Sequence, residues 1–416
     1  MNLARTALLG LLASVALPAQ AMTLDQAIAA AMTHAPDIAA ARADSDTADA
    51  RVREARAGGL PSATVTGSIG VGRLDPQNFF GLGAADVTPR VAQVTVEQPL
   101  FAGGRVHNGI ARAKAGSDAA QAGESATRSQ IVAAVAQAYG EVLTSRRLVD
   151  LHEDLLTQMQ EIQRQAQLRY RAGESPSTDI AQAAARLAEA QAGLARAQGM
   201  AVSAQARFTN LTGLMPDSPE PLPASPDLPP TLDEAIDLAM QHNPWLMQAE
   251  AGLRAARAEA KGARSELMPT VGAFAEGAMV RDQFFPDYRA DSATVGIRAR
   301  WQIFSPGTYA KISGSDSAER AAQARAEAVR SQVREQVIAG FQAVQTAALV
   351  EDASRKQAEA AAQARDSVRH EVRVGMKPQL DLLDAEREAT AAAAAQARAS
   401  TDRIVAAYRL LSMIGR

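Results

Sequence analysis

Thr23-Leu24-Asp25-Gln26-Ala27-Ile28 and Thr231-Leu232-Asp233-Glu234-Ala235-Ile236 are one phrase written twice in a chain of 416 residues. The spacing of 208 also relates Pro36 to Pro244 and Leu60-Pro61 to Met268-Pro269. Further along, Pro99-Leu100-Phe101 aligns with Gln302-Ile303-Phe304 and Tyr139 with Phe341. Arg171-Ala172-Gly173 aligns with Arg373-Val374-Gly375, Asp179 with Asp381, and Leu211-Thr212-Gly213 with Met413-Ile414-Gly415. By then the spacing has fallen to 202, and most of the loss lies between Pro61 and Phe101. A loop there is shorter in the second copy, while the helical segments keep their length. A duplication on this scale sets the architecture before any local reading does.

Each copy has the same internal plan. It opens on a capping box, Thr23 with Gln26 and Thr231 with Glu234, in which hydroxyl and carboxamide or carboxylate satisfy free helix N–H groups. A helix of about 30 residues is expected to follow, ending near Gly58 and Glu266. Pro61 and Pro269 forbid its continuation. Two period-two segments come next, at about 61–72 and 91–98 in the first copy and about 269–280 and 294–303 in the second. The last alternates Val295, Ile297, Ala299, Trp301 and Ile303 with Thr294, Gly296, Arg298, Arg300 and Gln302. Its mate is less regular, because Phe274 falls on the polar side. From Arg105 to Arg171 no proline interrupts a helical pattern, and roughly 65 residues at ~1.5 Å each span about 100 Å. Ile131, Val135, Ala138, Val142 and Val149 form one apolar stripe and Leu148, Leu151, Leu155 and Ile162 a second, so this helix has neighbours on two sides. It ends at a tight tip, 172–176 in the first copy and 374–378 in the second, where glycine stops one helix and proline starts the next. A returning helix completes each copy. The domain plan is therefore a first repeat over 22–211, a Pro-rich linker over 212–230 and a second repeat over 231–416.

Composition narrows the class. Aromatics are only 4% of the chain, there is no cysteine, and the formal net charge is -3. A globular enzyme of this length would need an aromatic-rich core. Zero cysteine excludes disulfides, thiolate metal sites and a lipid-anchored N-terminal cysteine. The charge gives no reason to expect nucleic acid. Arg5, the uncharged run Ala7–Leu17 and Ala19-Gln20-Ala21 read as a secretory signal over 1–21; an N-terminal anchor is the competing reading, but the run falls well short of the ~20 residues a span needs. Four strands per chain cannot close a barrel, and an open edge is not tolerated in lipid. Strands of membrane-spanning length therefore require several chains to share one barrel, continued by the long helices as a conduit.

Helix, strand pair, long helix, tip and helix, given twice, resemble the TolC-like outer membrane efflux protein family. Its most specific pieces here are the Thr-Leu-x-x-Ala-Ile openings, Gln98-Pro99-Leu100-Phe101-Ala102-Gly103-Gly104-Arg105, and Val374-Gly375 with Leu380-Asp381-Leu382-Leu383-Asp384-Ala385. The resemblance covers essentially the whole chain after residue 21. It implies a mainly α fold with a small membrane β part, in which a homotrimeric 12-stranded barrel, four strands per chain, continues as an α-helical barrel in the periplasm. The implied role is an outer membrane duct for a tripartite exporter, serving small-molecule or drug efflux or type I secretion. Its implied partners are a periplasmic adaptor, an inner-membrane ABC or RND pump and outer membrane lipid.

Residue by residue, the resemblance makes Asp381 and Asp384 an acidic constriction at the periplasmic entrance, able to attract cations. Two solvated carboxylates at a helix start are the plainer alternative. Thr178 and Asp179 match the partners of a gate-locking basic residue, here Lys377 rather than arginine. The family's gate tyrosine is absent, its position being Val372. The tips, Gly173 and Glu174 with Gly375 and Met376, are implied to face the adaptor. Phe79, Phe80, Phe284, Phe285, Tyr288 and Trp301 suit interfacial aromatics, with loop packing as the alternative for the Phe pairs. His34, His107, His152, His242 and His370 show no metal-ligand spacing. Gly103-Gly104 and Gly81-x-Gly83 are turn glycines rather than phosphate loops. No cofactor, metal or catalytic constellation is expected. A soluble periplasmic coiled-coil adaptor or spacer is the competing class; it explains the helices and tips but not four matched strands.

Overall fold

The computed structural model describes residues 22–75 and 83–415. The proposed signal at 1–21, Phe79, Phe80 and Gly81 lie outside the described residues. In each copy the opening helix is two helices, α1 (Leu24–His34) and α2 (Pro36–Ala57), then α5 (Leu232–His242) and α6 (Pro244–Arg264). The sequence reading expected one continuous helix. The break follows from the prolines: Ala35 and Asn243 both sit at extended backbone angles ahead of a proline at the next helix's first position, since proline excludes the α conformation from its predecessor. Asn243 repairs the break with its side chain, accepting from Leu246 N at 2.9 Å and donating to Met413 O at 2.7 Å. The capping box is complete at Thr23 and Gln26; at Thr231 the hydroxyl accepts from Glu234 N at 3.3 Å.

The strands are β1 (Ser62–Ile69), β4 (Arg90–Phe101), β5 (Thr270–Arg281) and β6 (Arg289–Arg300). They form one antiparallel sheet in the order β1-β4-β5-β6. The first copy's long loop carries a further small hairpin, β2 (Gly72–Leu74) with β3 (Ala85–Val87), which period-two reading missed because each strand is three residues long. The last strand begins earlier and ends earlier than the alternation implied. Trp301 and Ile303 lie beyond it, leading into the proline that opens the next helix.

That helix is α7 (Pro306–Arg373), the counterpart of α3 (Arg105–Arg171). Their returning mates are α4 (Ser177–Thr212) and α8 (Gln379–Ile414). α3 is flanked by α2, α6, α4 and α8, as two apolar stripes require. Ile131, Val135, Ala138, Val142, Leu148 and Ile162 are all buried. The core is thin and alanine-rich, gathered in separate clusters along the helices. α3 and α8 pack closely at Gly140, whose missing Cβ leaves room for Thr401. There Thr144 and Thr401 share a hydroxyl–hydroxyl bond of 2.6 Å.

The linker folds back along the start of the described chain. Met22 N donates to Ser218 O and Glu220 N to Met22 O, both at 2.9 Å. The buried Tyr139 hydroxyl lies 2.6 Å from Met22 O and 2.7 Å from Glu220 O and shares its single proton between these two acceptors. Burial, with Glu220's charge adding to it, pushes this phenol up to about 12.

Candidate functional site

The sheet has two chemically different faces. Register pairs Val65 with Val94, Val94 with Gly277 and Gly277 with Ala293. The next row on that face joins Ala63, Val96, Ala275 and Val295. Side chains alternate across a strand, so the opposite face carries Thr64, Thr95, Glu276 and Thr294 in one row and Thr66, Gln93, Ala278 and Ser292 in another. The apolar face is uncovered: Val65, Val94, Val295 and Ile297 are exposed. β4, β5 and β6 are each 12 residues, about 40 Å at ~3.4 Å per residue. Tilted as barrel strands are, they cross a band close to the ~25 Å apolar height of such walls.

Phe274, the residue that blurred the alternation, sits on the polar face for a local reason. It pairs with Gly296, where a Cβ would meet its ring edge at 3.1 Å, and Arg298 lies 4.5 Å over its centroid. The ring covers a glycine and is stacked by a guanidinium. At the helical end of the sheet Phe101, Trp301 and Phe304 are exposed, and Trp301 Nε1 donates to Leu267 O at 3.0 Å. At the turn end Phe284 and Phe285 each meet Tyr288 edge-on with centroids 5.1 Å apart. That Phe pair therefore packs within its loop while remaining surface-exposed.

The strand-to-helix turn depends on its glycines. Gly103 and Gly104 have φ of 62° and 92°. A Cβ on Gly103 would sit 2.7 Å from Ser265 O, so the first copy's turn closes on the second copy's turn only without a side chain.

The two tips have the same backbone. Glu174 N donates to Arg169 O at 2.9 Å and Met376 N to Glu371 O at 2.8 Å, with Gly173 and Gly375 left-handed at φ 77° and 79°. This is a Schellman closure, which favours glycine at that position. Thr178 and Asp179 follow in the first turn of α4, and Asp179 N donates to Pro176 O at 3.2 Å. Asp381 N donates to Pro378 O at the same 3.2 Å.

Both tips carry charged side chains. Lys377 and Asp179 belong to different tips and form no ion pair within the chain. Lys377 Nζ instead lies 2.9 Å from Glu371; that carboxylate, with Asp381 behind it, raises the Lys377 ammonium above its usual range. Asp384 is not free, since Arg186 of α4 reaches it at 3.4 Å. Asp381 has no ion pair among the described residues. Val372, at the position of the family's tyrosine, is buried with Met159, Ile162, Leu382 and Leu383. A feature that sequence reasoning missed lies beside them: Glu386, 2% exposed, is paired with Arg369 of α7 and faced by the Gln158 amide of α3. Nothing in the local pattern distinguished this carboxylate from the solvated ones around it.

His34 and His242 take structural places, each against the glycine that ends its own copy: a Cβ on Gly213 would lie 2.7 Å from His34 Nδ1, and one on Gly415 would meet the His242 backbone. Among the described residues no three His, Asp or Glu side chains are placed to hold a metal ion.

The sequence profile described as "Outer membrane efflux protein" matches residues 27–214 and again 235–416. The chain belongs to the outer membrane efflux protein family. The outer membrane efflux protein BepC of Brucella suis biovar 1 (strain 1330) is 28% identical over 402 residues, 95% of this chain and 85% of that protein. The CmeC outer membrane channel of Campylobacter jejuni superposes with a TM-score of 0.83 at 14% identity, covering 94% of this chain and 85% of that one. VceC, an outer membrane protein of Vibrio cholerae, gives 0.80 at 17%, covering 94% and 96%. This efflux protein is thus a channel of the outer membrane rather than an enzyme. Its exposed apolar sheet face belongs in lipid, and its long helices form the periplasmic part. The coiled-coil adaptor reading loses its ground, because a soluble adaptor has no use for such a sheet.

Proposed function

We propose that three copies of this efflux protein close a 12-stranded barrel and serve as the passive exit duct of a tripartite exporter. The observation that carries this reading is the sheet itself. β1 and β6 each present an unpaired edge beside an exposed apolar face, and an unpaired edge in hydrocarbon costs several kcal/mol per group. Pairing β6 of one chain with β1 of the next removes every edge, and three chains of four strands give twelve. The periplasmic tips at Gly173-Glu174 and Gly375-Met376 would meet an adaptor that links the duct to an inner-membrane ABC or RND pump. Small-molecule or drug efflux is the first cargo reading, in keeping with the likeness to the outer membrane efflux protein BepC; type I secretion is the alternative.

At the entrance, Asp381 supplies the main charge of the constriction and Asp384 a weaker share, because Arg186 already compensates it. Lys377 exchanges its Glu371 for Asp179 and Thr178 of a neighbouring chain when the gate is closed. Single-channel recording in planar bilayers tests both points. Block by a trivalent cation weakens more in Asp381→Ala than in Asp384→Ala, and resting conductance rises in Asp179→Ala and Lys377→Ala. Equal block in all variants would move the constriction elsewhere, and wild-type conductance would remove the lock.

A further inference from the structure

The apolar face of the sheet does not run out into loops. It ends on a row of arginines. Register places Ile69 opposite Arg90, Arg90 opposite Arg281, and Arg281 opposite Arg289. All lie on the lipid face, because Arg90 is two residues from Ala92 and four from Val94, Arg281 is two from Met279, and Arg289 is four from Ala293. Three adjacent strands thus hold three guanidinium groups side by side, about 5 Å apart at the backbone.

This row is at the outer end of the barrel. The helices leave the sheet at Gly58, Phe101, Arg264 and Trp301, and the turns after Ile69 and Arg281 are at the other end. From Val271 to Arg281 the face spans ten residue steps, about 34 Å along the strand at ~3.4 Å per step. A ~45° tilt reduces that to about 24 Å, close to the ~25 Å apolar band of such walls. The arginines therefore stand where the hydrocarbon of the outer leaflet gives way to headgroups.

Like charges directly opposite one another destabilise a sheet, so the row calls for a counter-charge. The chain supplies one: Asp291 holds Arg281 through two bonds of 2.7 and 3.1 Å. Arg90 and Arg289, on either side, form no ion pair among the described residues, and both are exposed. Guanidinium groups match phosphate bidentately, and this pair offers two such groups, one on either side of a neutralised centre.

We infer that Arg90 and Arg289, spaced by the Arg281–Asp291 pair, bind the phosphorylated headgroup of an outer-leaflet glycolipid, its acyl chains lying along the Val65, Val94 and Val295 face. Charge complementarity and continuity with the apolar face both select a lipid over a soluble anion. The site depends on the outer membrane location and not on gating or cargo.

The test uses the purified full-length protein and bis-phosphorylated lipid A as probe, with retention read by native mass spectrometry. Fully dephosphorylated lipid A and inorganic phosphate are the comparison arms. Wild type retains the bis-phosphorylated form, and Arg90→Gln with Arg289→Gln weakens retention by about tenfold or more, while the same preparation keeps wild-type assembly and conductance. Equal retention of dephosphorylated lipid A by wild type overturns the inference without any variant. Undiminished retention by the double variant does the same. Displacement of lipid A by an equal concentration of inorganic phosphate would make this a free-anion site and overturn the lipid assignment. Loss of conductance in wild type would instead count against the duct reading alone.

Discussion

At the scale of single residues, Tyr139 is the side chain that closes the middle of the molecule. Its hydroxyl gathers two carbonyls, from Met22 and Glu220, that belong to segments distant in sequence. Tyr139→Phe leaves both without that donor in a buried place, and is expected to cost about 1–3 kcal/mol. Thermal unfolding of the purified protein measures it. The phenol's raised value, about 12 against an ordinary 10.0, adds a signature. The folded state holds this proton more tightly, so stability is full below pH ~10 and falls as pH rises toward ~12. Tyr139→Phe removes that decline, and a variant that keeps it would locate the alkaline loss elsewhere. The sequence presented Tyr139 only as the counterpart of Phe341. Hydrogen bonds to carbonyls 117 and 81 residues away leave no local trace, and Glu386 stayed hidden for the same reason. Repeat-equivalent glycines and histidines were legible because the duplication prints the same local geometry twice.

Among the elements, the tips test how far backbone geometry alone holds a turn. A Cβ at Gly173 or Gly375 would meet nothing within 4 Å, so alanine there brings only the strain of a left-handed residue, ~1–2 kcal/mol. Hydrogen exchange at the Glu174 and Met376 amides should accelerate by about 5- to 30-fold in the respective alanine variants, with the rest of the chain unchanged. Exchange at wild-type rates would mean that the Schellman bonds do not limit opening. The long helices, the tips and the sheet's alternation are visible in the sequence, because a period of 3.6 or 2 is a local property. Pro36 and Pro244 mark the helix breaks at Ala35 and Asn243, because proline excludes the α conformation from its predecessor. The Lys377–Glu371 contact was not legible in the same way: it joins a tip residue to the preceding helix, and periodicity carries no record of it.

As a whole molecule, the chain is a wall rather than a globule. Thin alanine-rich clusters let narrow helices pack edge to edge, which is why aromatics can be 4% of 416 residues. The sheet carries the decisive asymmetry, one face apolar and the other polar, which the proposed three-chain barrel turns toward lipid and toward lumen. Which face looks inward is therefore the central claim, and the absence of native cysteine allows it to be tested without background. Val94→Cys and Thr95→Cys are neighbours at one depth on β4, as Val295→Cys and Thr294→Cys are on β6. In proteoliposomes a membrane-impermeant maleimide should label Thr95→Cys and Thr294→Cys and leave Val94→Cys and Val295→Cys slower by about tenfold or more, as expected of alternating lumen-facing and lipid-facing positions. Equal labelling of each pair, or the reverse order, would contradict the shared-barrel duct.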